Sequence, residues 1–289
     1  MKNILILREK KNDYFLGYIK NANIDSIYIN AYGRNKILTR LCAKFKVNSF
    51  GIFLGNWKRN IKKYDIIIIF DNKFEIGVSK YIKRKNPNCK IIFYFWNNIN
   101  NFNKYALKDS NIDEFYTYSQ ADAKKYNIKY NSQFYTKDIK LKSDDLKYDI
   151  TFLGRNKNRK SIILQIEQQL NKLGIKTNFT VIGEEKKCIS YKEYLKKIEK
   201  SKAMLDIIED TQYPALTLRV LESLFFEKKL VTNNEDIKNY AIYNPNNIFI
   251  VKENNITDII KFLEKPYISL KPEIIDYYDF KNWIKRFID

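Results

Sequence analysis

Tyr64–Asp71 reads YDIIIIFD, four isoleucines in a row closed by Phe70 and Asp71. A continuous β-branched run without polar alternation predicts a strand covered on both faces, the situation of a central strand in a parallel sheet. Parallel neighbours need crossover connections, so helical segments should alternate with strands around it. A helical stretch through Tyr81–Lys85 ends before Asn86-Pro87, and Lys90–Trp96 (KIIFYFW) is the next strand. Working back, Asn3–Leu7 is a short apolar strand. Working forward, Phe115–Tyr118 is another strand, and Ala121–Tyr126 begins a short helix with Asp122 in its first turn. Residues 1–140 read as one open α/β sheet.

Lys137–Lys147 (KDIKLKSDDLK) is charged and without periodicity, the signature of a linker. After it the pattern restarts: strand Tyr148–Leu153, turn Gly154–Asn158, helix near Arg159–Leu173 with Gly174 as its C′ residue, and strand Asn178–Ile182. Helix Tyr191–Lys200, strand Ala203–Ile207, helix Leu218–Phe226, strands Lys229–Thr232 and Ile248–Val251, and helix Thr257–Leu263 follow. Phe280–Ile288 closes the chain as a helix carrying Trp283. The predicted class is α/β with two Rossmann-like domains, 1–140 and 141–289, an interdomain cleft and a C-terminal helix. Ligands of open parallel sheets bind outside the carboxyl ends of the strands. No G-x-G-x-x-G follows the first strand and no GxxxxGK[ST] occurs, which disfavours a dinucleotide oxidoreductase and a P-loop NTPase.

Composition narrows the chemistry. The 289 residues suit two domains, and 22 Tyr with 19 Phe supply a core. No apolar run approaches the ~20 residues of a membrane span. The apolar stretch at the start is too short for a signal peptide, so a cytoplasmic location is expected. Cys42, Cys89 and Cys188 are scattered and read as small buried hydrophobes, neither a disulfide framework nor a zinc site. There is no histidine, which removes Ser-His-Asp and Cys-His catalysis and leaves proton transfer to a carboxylate. The net charge of +20 is uneven: residues 1–100 carry 20 Lys/Arg against 6 Asp/Glu, a net +14. That half would suit an anionic membrane or an anionic acceptor, or be a merely solvated basic surface. Nucleic acid is disfavoured as a partner, because no helix-turn-helix, RNP or zinc-finger pattern accompanies the charge.

Ser201–Asn234 (SKAMLDIIEDTQYPALTLRVLESLFFEKKLVTNN) reads as strand, polar loop with Pro214, helix and second strand. Thr217 can cap the helix, and Arg219 lies in its first turn, where a cation opposes the macrodipole. Glu222 falls on the same helical face. Two readings stay open here: a surface ion pair, or an anion bound at the helix start by Arg219 with Glu222 accepting from ribose hydroxyls.

This stretch resembles the C-terminal domain of GT-B glycosyltransferases, in which an Arg precedes a Glu-Ala/Ser-Leu helix and a Lys-x-Val/Ile-x-Thr strand. Here these are Arg219, Glu222-Ser223-Leu224 and Lys229–Thr232. More narrowly, the chain is similar to short CgeB-type glycosyltransferase-like proteins of capsule and lipopolysaccharide gene clusters. YDITFLGRNKNR (148–159), SKAMLDI (201–207), LTLRVLESL (216–224) and KKLVTNNEDIKNYAIYNPNNIFIV (228–251) carry that likeness, with KIIFYFWNNI (90–99) and DAKKYNIKYNSQFY (122–135) in the first half. The resemblance implies transfer of a sugar from a nucleotide-sugar to a lipid-linked or oligosaccharide acceptor, with no metal cofactor. The alternative is a non-catalytic GT-B-like nucleotide- or glycan-binding protein. Two positions depart from the pattern of retaining members: Pro214 replaces a second Glu, and Ala215 a Gly.

A second candidate site is GRNKNRK, Gly154–Lys160. Gly154 allows close backbone approach, and Arg155, Arg159 and Lys160 can neutralise a diphosphate. The candidate base is Asp71, which ends the strongest strand, with Glu75 on the same loop. Asn97 stands where similar sequences carry Asp, and Asn is no base. Trp57 and Trp96 are candidates to stack on sugars, with core packing the competing reading for Trp96.

Overall fold

A computed structural model describes residues 2–9, 14–29, 41, 45, 51–71, 77–142, 145–156, 158–183, 189–208, 215–252 and 254–288. Glu75, Pro214, Cys42 and Cys188 lie outside the described residues. The chain divides into two compact units, Met1–Ser132 with Arg286–Asp289, and Gln133–Lys285.

The first unit is built on six parallel strands: β1 (Ile4–Arg8), β2 (Asn23–Ser26), β3 (Ile66–Phe70), β4 (Lys90–Phe95), β5 (Glu114–Thr117) and β6 (Lys129–Tyr130). Their order is β2-β1-β3-β4-β5-β6, and Ile67 of β3 stands opposite Leu5 of β1 and Ile91 of β4. Every residue of β3 is 2% exposed or less, as the isoleucine run requires. Each such side chain contributes roughly 1.5–3 kcal/mol of burial. Helices α1 (Val78–Lys85) and α2 (Gln120–Tyr126) complete the βα alternation. The short edge strand β2 is polar at Asn23 and Asp25, which hides it from a reading based on apolar runs.

A 3-10 segment over Asn56–Lys63 turns Trp57 and Ile61 inward and leaves Arg59, Lys62 and Lys63 exposed. Trp57 is 3% exposed, and its indole N–H donates to the Ile27 carbonyl at 3.1 Å. It is a core residue, which corrects the expectation that it stacks on a sugar. Trp96 is partly buried, stacked on Phe70 with ring centroids 5.3 Å apart.

The second unit has five parallel strands, β7 (Tyr148–Arg155), β8 (Thr177–Ile182), β9 (Ser201–Asp206), β10 (Lys229–Thr232) and β11 (Ile248–Ile250), in the order β11-β10-β9-β7-β8. Its helices are α3 (Lys160–Lys172), α4 (Tyr191–Glu199), α5 (Leu218–Phe225), α6 (Ile259–Glu264), α7 (Pro272–Tyr278) and α8 (Phe280–Trp283). Gly174 follows α3 with φ +77°, the left-handed residue expected there. Its core gathers Phe152, Ile163, Leu205, Val231 and Ile259, among others.

The units part between Ser132 and Gln133, ahead of the polar stretch that reads as the linker. Tyr135 explains the difference: its N–H donates to the Tyr278 carbonyl and its carbonyl accepts from Phe280 N–H. Residues just after 132 are thus strapped to the α7–α8 junction. The closing helix expected over Phe280–Ile288 is instead α8 and a 3-10 turn at Lys285–Phe287. Trp283 packs on Phe134 in the second unit, whereas Phe287 packs on Tyr116 in the first.

Candidate functional site

In each sheet the order of strands reverses beside its first strand. β7 has β8 on one side and β9 on the other; β1 has β2 on one side and β3 on the other. Crossovers leave such a point in opposite directions, opening a crevice at the carboxyl ends of the two strands.

In the second unit the crevice lies where β7 ends in Gly154-Arg155 and β9 ends in Asp206. Asp206 is fully buried. One of its oxygens accepts from Arg219 Nη1 at 2.9 Å and the other from the Thr217 hydroxyl at 2.8 Å. Thr217 is also the N-cap of α5, accepting from Val220 N–H. The cation in the first turn of α5 therefore has its reason in Asp206, and the surface pair with Glu222 is not the one formed. Arg219 Nη2 donates to the Leu153 carbonyl at 3.0 Å, and the guanidinium lies 4.9 Å from the Phe152 ring centre. Burial acts to lower the Arg219 pKa, but Tyr194, Asp206 and Glu222 outweigh it and hold it above the ordinary value.

Gly154 makes room for this arrangement. A Cβ there would meet Arg219 Nη2 at 2.9 Å and the Phe152 ring at 3.1 Å. Arg159, just before α3, is 8% exposed; its guanidinium donates to the Ile207 carbonyl and lies 5.5 Å from the Phe152 ring centre. Phe152 is thus a common apolar plate for two guanidinium groups. Beyond them Arg155 and Lys160 are exposed, and Lys160 N–H donates to Asn156 Oδ1 at 3.0 Å. The buried Arg159 and the part-buried Arg219 thus stand against one buried carboxylate, Asp206, which pairs with Arg219 alone, leaving the crevice positive.

Glu222 lies one turn deeper and is 2% exposed. The Tyr191 hydroxyl donates to one of its oxygens at 2.7 Å and the Tyr194 hydroxyl to the other. Tyr191 in turn shares a 2.6 Å hydrogen bond with Tyr135. Burial raises the Glu222 pKa to about 7, against the lowering effect of the tyrosine hydroxyls and Arg219. Both tyrosines are pushed well above their ordinary values, by burial first and then by Glu222. The ribose contact expected of Glu222 requires this buried carboxylate, 2% exposed, to be uncovered.

In the first unit Asp71 follows β3 at the corresponding edge. It accepts from Trp96 N–H at 2.7 Å, Asn97 Nδ2 at 2.9 Å and Asn103 Nδ2 at 3.2 Å. Burial raises its pKa despite these bonds. The carboxylate ties the ends of β3 and β4 together. Glu75, proposed with it from sequence, lies outside the described residues. Among the described residues no group of three or more His, Cys, Asp and Glu is placed to hold a metal ion.

Solved structures share this architecture. HepE of Anabaena, in complex with UDP-glucose, superposes with a TM-score of 0.58 at 9% identity, covering 100% of this chain and 98% of that one. A glycosyltransferase from Rickettsia africae gives 0.52 at 11% identity, covering 99% and 96%. The chain has the fold of these two proteins. No family model matches the sequence, and no curated protein matches it. The two Rossmann-like units predicted from the alternating pattern are therefore present, and the likeness is one of fold.

Sequence reasoning named both arginines of the crevice but missed Asp206, Phe152 and the tyrosines. An acid closing the apolar strand SKAMLD was the available signal for Asp206, the same signal that singled out Asp71. Tyr191 and Tyr194, three apart on α4, share a helical face but carry no sign of what they face.

Proposed function

We propose that the chain is a glycosyltransferase that moves a sugar from a nucleotide-sugar to a surface-glycan acceptor, lipid-linked or oligosaccharide, without a metal ion. The observation that carries the reading is the positive crevice at the strand-order reversal of the second unit, built from Arg159, Arg219 and Asp206 around Phe152. A nucleoside diphosphate there would meet Arg155 and Lys160 at the rim and the first N–H groups of α5. Arg219 Nε is buried and has no hydrogen-bond partner among the described residues, a deficit of about 1–3 kcal/mol that a bound ligand could relieve by reorganising the site. HepE is itself seen with UDP-glucose. The narrower likeness to CgeB-type proteins of capsule and lipopolysaccharide clusters belongs to the same proposal. So does a peripheral position on an anionic membrane, for a chain in which no described helix is long and apolar enough to cross one.

Lys160→Gln and Arg155→Gln test the reading, since both side chains are exposed and their loss spares the buried network. Each should weaken UDP or GDP binding about ten- to a hundredfold in calorimetry, with the melting temperature unchanged and with EDTA making no difference. Unaltered affinity in both variants would remove the crevice from consideration; binding that EDTA abolishes and Mn²⁺ restores would end the metal-free reading. A second reading, a nucleotide-binding protein without transfer activity, is favoured by Asp71, three of whose roughly four acceptor sites are already taken in tying strand ends together. Release of free nucleotide from a nucleotide-sugar only when acceptor is added distinguishes the enzyme from the binding protein.

A further inference from the structure

Glu222 is a buried carboxylate with no cation paired to it. The Tyr191 and Tyr194 hydroxyls of α4 donate to its two oxygens, and Tyr191 shares a hydrogen bond of 2.6 Å with Tyr135. Among the described residues no lysine or arginine lies within ion-pair distance of it. Arg219, one turn back along α5, is engaged by Asp206 and the Leu153 carbonyl. The other elements packed on α5 do not supply a partner either. β9 brings Asp206, a like charge. β10 brings Lys229, whose ammonium donates to the Phe262 carbonyl. α7 brings Asp276, paired with Lys137, the exposed Glu273 and Tyr277, and the buried Tyr278. Ionising a carboxyl in this place buries a charge that only neutral hydroxyls bond directly, and burial raises its pKa to about 7.

The protonation state of Glu222 sets the net charge of the crevice. Arg159, Arg219 and Asp206 together leave one positive charge. An ionised Glu222, in electrostatic reach of Arg219, cancels it, and a protonated Glu222 does not. A diphosphate is itself negative, so it is better received while Glu222 holds its proton.

We infer that an anionic nucleotide enters this crevice together with a proton, which the Glu222 carboxylate takes up from solvent as the diphosphate binds. This coupling rests on the nucleotide-sugar reading of the crevice and adds to it a sensitivity to pH. Glu222 then acts at a distance, through the negative charge it gives up. A Glu222 that accepted hydrogen bonds from ribose hydroxyls would do the opposite, since it would be bound ionised and would release a proton. By linkage, the diphosphate raises the proton affinity of the carboxyl by the same factor as the proton raises the affinity for the diphosphate. Affinity is accordingly full below about pH 7 and falls as the pH climbs past it.

Calorimetric titration of the full chain with UDP-glucose and with GDP-mannose tests it, because the charge of these ligands is constant through the neutral range. At pH 7.5, Hepes and Tris buffers should give binding enthalpies that differ by the uptake of about a quarter to half a proton per site. The affinity should fall about three- to sevenfold between pH 6 and pH 8.5. Glu222→Gln should bind with no proton exchange and no such fall. Tyr194→Phe removes one of the two donors that favour the ionised carboxylate, and should move the fall to higher pH. Lys160→Gln should bind more weakly yet take up a proton as the parent does. Binding without proton exchange, release of a proton, or uptake that persists in Glu222→Gln would each overturn the coupling while leaving the nucleotide site in place. No binding of either nucleotide-sugar at any pH would remove both.

Discussion

Arg219 is held more firmly than a residue whose purpose is only to greet a ligand. Asp206, the Leu153 carbonyl and the Phe152 ring all engage it, so its removal leaves a buried carboxylate with a single remaining hydrogen-bond donor, Thr217. Breaking such a pair costs about 3–5 kcal/mol, which is why the exposed Arg155 and Lys160 are the better probes of binding. Glu222 presents the opposite case, a carboxylate that the fold would rather keep protonated. Its pKa rises from 4.5 to about 7, so between those values the folded chain holds a proton that the unfolded chain has released. Its contribution to stability is therefore complete below pH 4.5 and is lost as the pH rises to about 7, about 3 kcal/mol in all. Glu222→Gln keeps a neutral side chain that can bond both tyrosine hydroxyls. Urea unfolding at pH 5 and pH 8 should show the difference between the two pH values shrinking in the variant, with its pH 8 stability at or above that of the parent. An undiminished pH difference would mean that Glu222 is not the titrating group.

At the scale of elements, α5 depends on one hydroxyl. Thr217 caps its first turn and also donates to Asp206, so a single side chain joins the end of β9 to the start of the helix. Losing a cap of this kind costs typically ~1 kcal/mol, and depriving a buried carboxylate of a donor adds to it. Thr217→Ala should lower stability by about 2–3 kcal/mol, and Thr217→Ser, which keeps both bonds, by less than half of that. Thermal or urea unfolding measures both, and equal losses in the two variants would show that the methyl group, rather than the hydroxyl, matters. The elements legible in sequence were those with an apolar run or an amphipathic pattern: β1, β3, β4, β5 and β7–β11, with α2–α6, fall within a residue or two of where the pattern puts them. Those missed were β2, β6, the Asn56–Lys63 segment and α7. Each is short or polar, and each is held by pairing or packing with residues distant in the chain, which periodicity does not record.

For the whole molecule, charge is the property with the longest reach. The first 100 residues carry a net +14, and Arg59, Lys62 and Lys63 project from one short segment that turns Trp57 and Ile61 inward. Near an anionic leaflet each such side chain contributes about 1 kcal/mol, falling off within a Debye length of ~8 Å at physiological salt. Sedimentation with phosphatidylglycerol liposomes should be strong at low salt, weaken with added NaCl and be absent with phosphatidylcholine. Replacing Lys58, Arg59, Lys62 and Lys63 by Gln should reduce it. No binding to the anionic liposomes at low salt would leave the basic surface without a membrane role.

The amino-acid sequence by itself determined the two parallel α/β units, because runs such as IIIIF and the helices between them satisfy their burial only in that architecture. It also marked Gly154, Arg159, Thr217 and Arg219 as belonging to one kind of site. It did not determine which charge meets which. Arg219 and Glu222 are three residues apart, yet the partners are Asp206, from the preceding strand, and two tyrosines of α4. Nor did it show that Asp71 ties β3 to β4, or that residues after Ser132 are strapped to the α7–α8 junction. The reason is physical. Burial of apolar runs is set by local pattern, whereas a buried charge must find its partner wherever the crossing of strands brings one within about 3 Å.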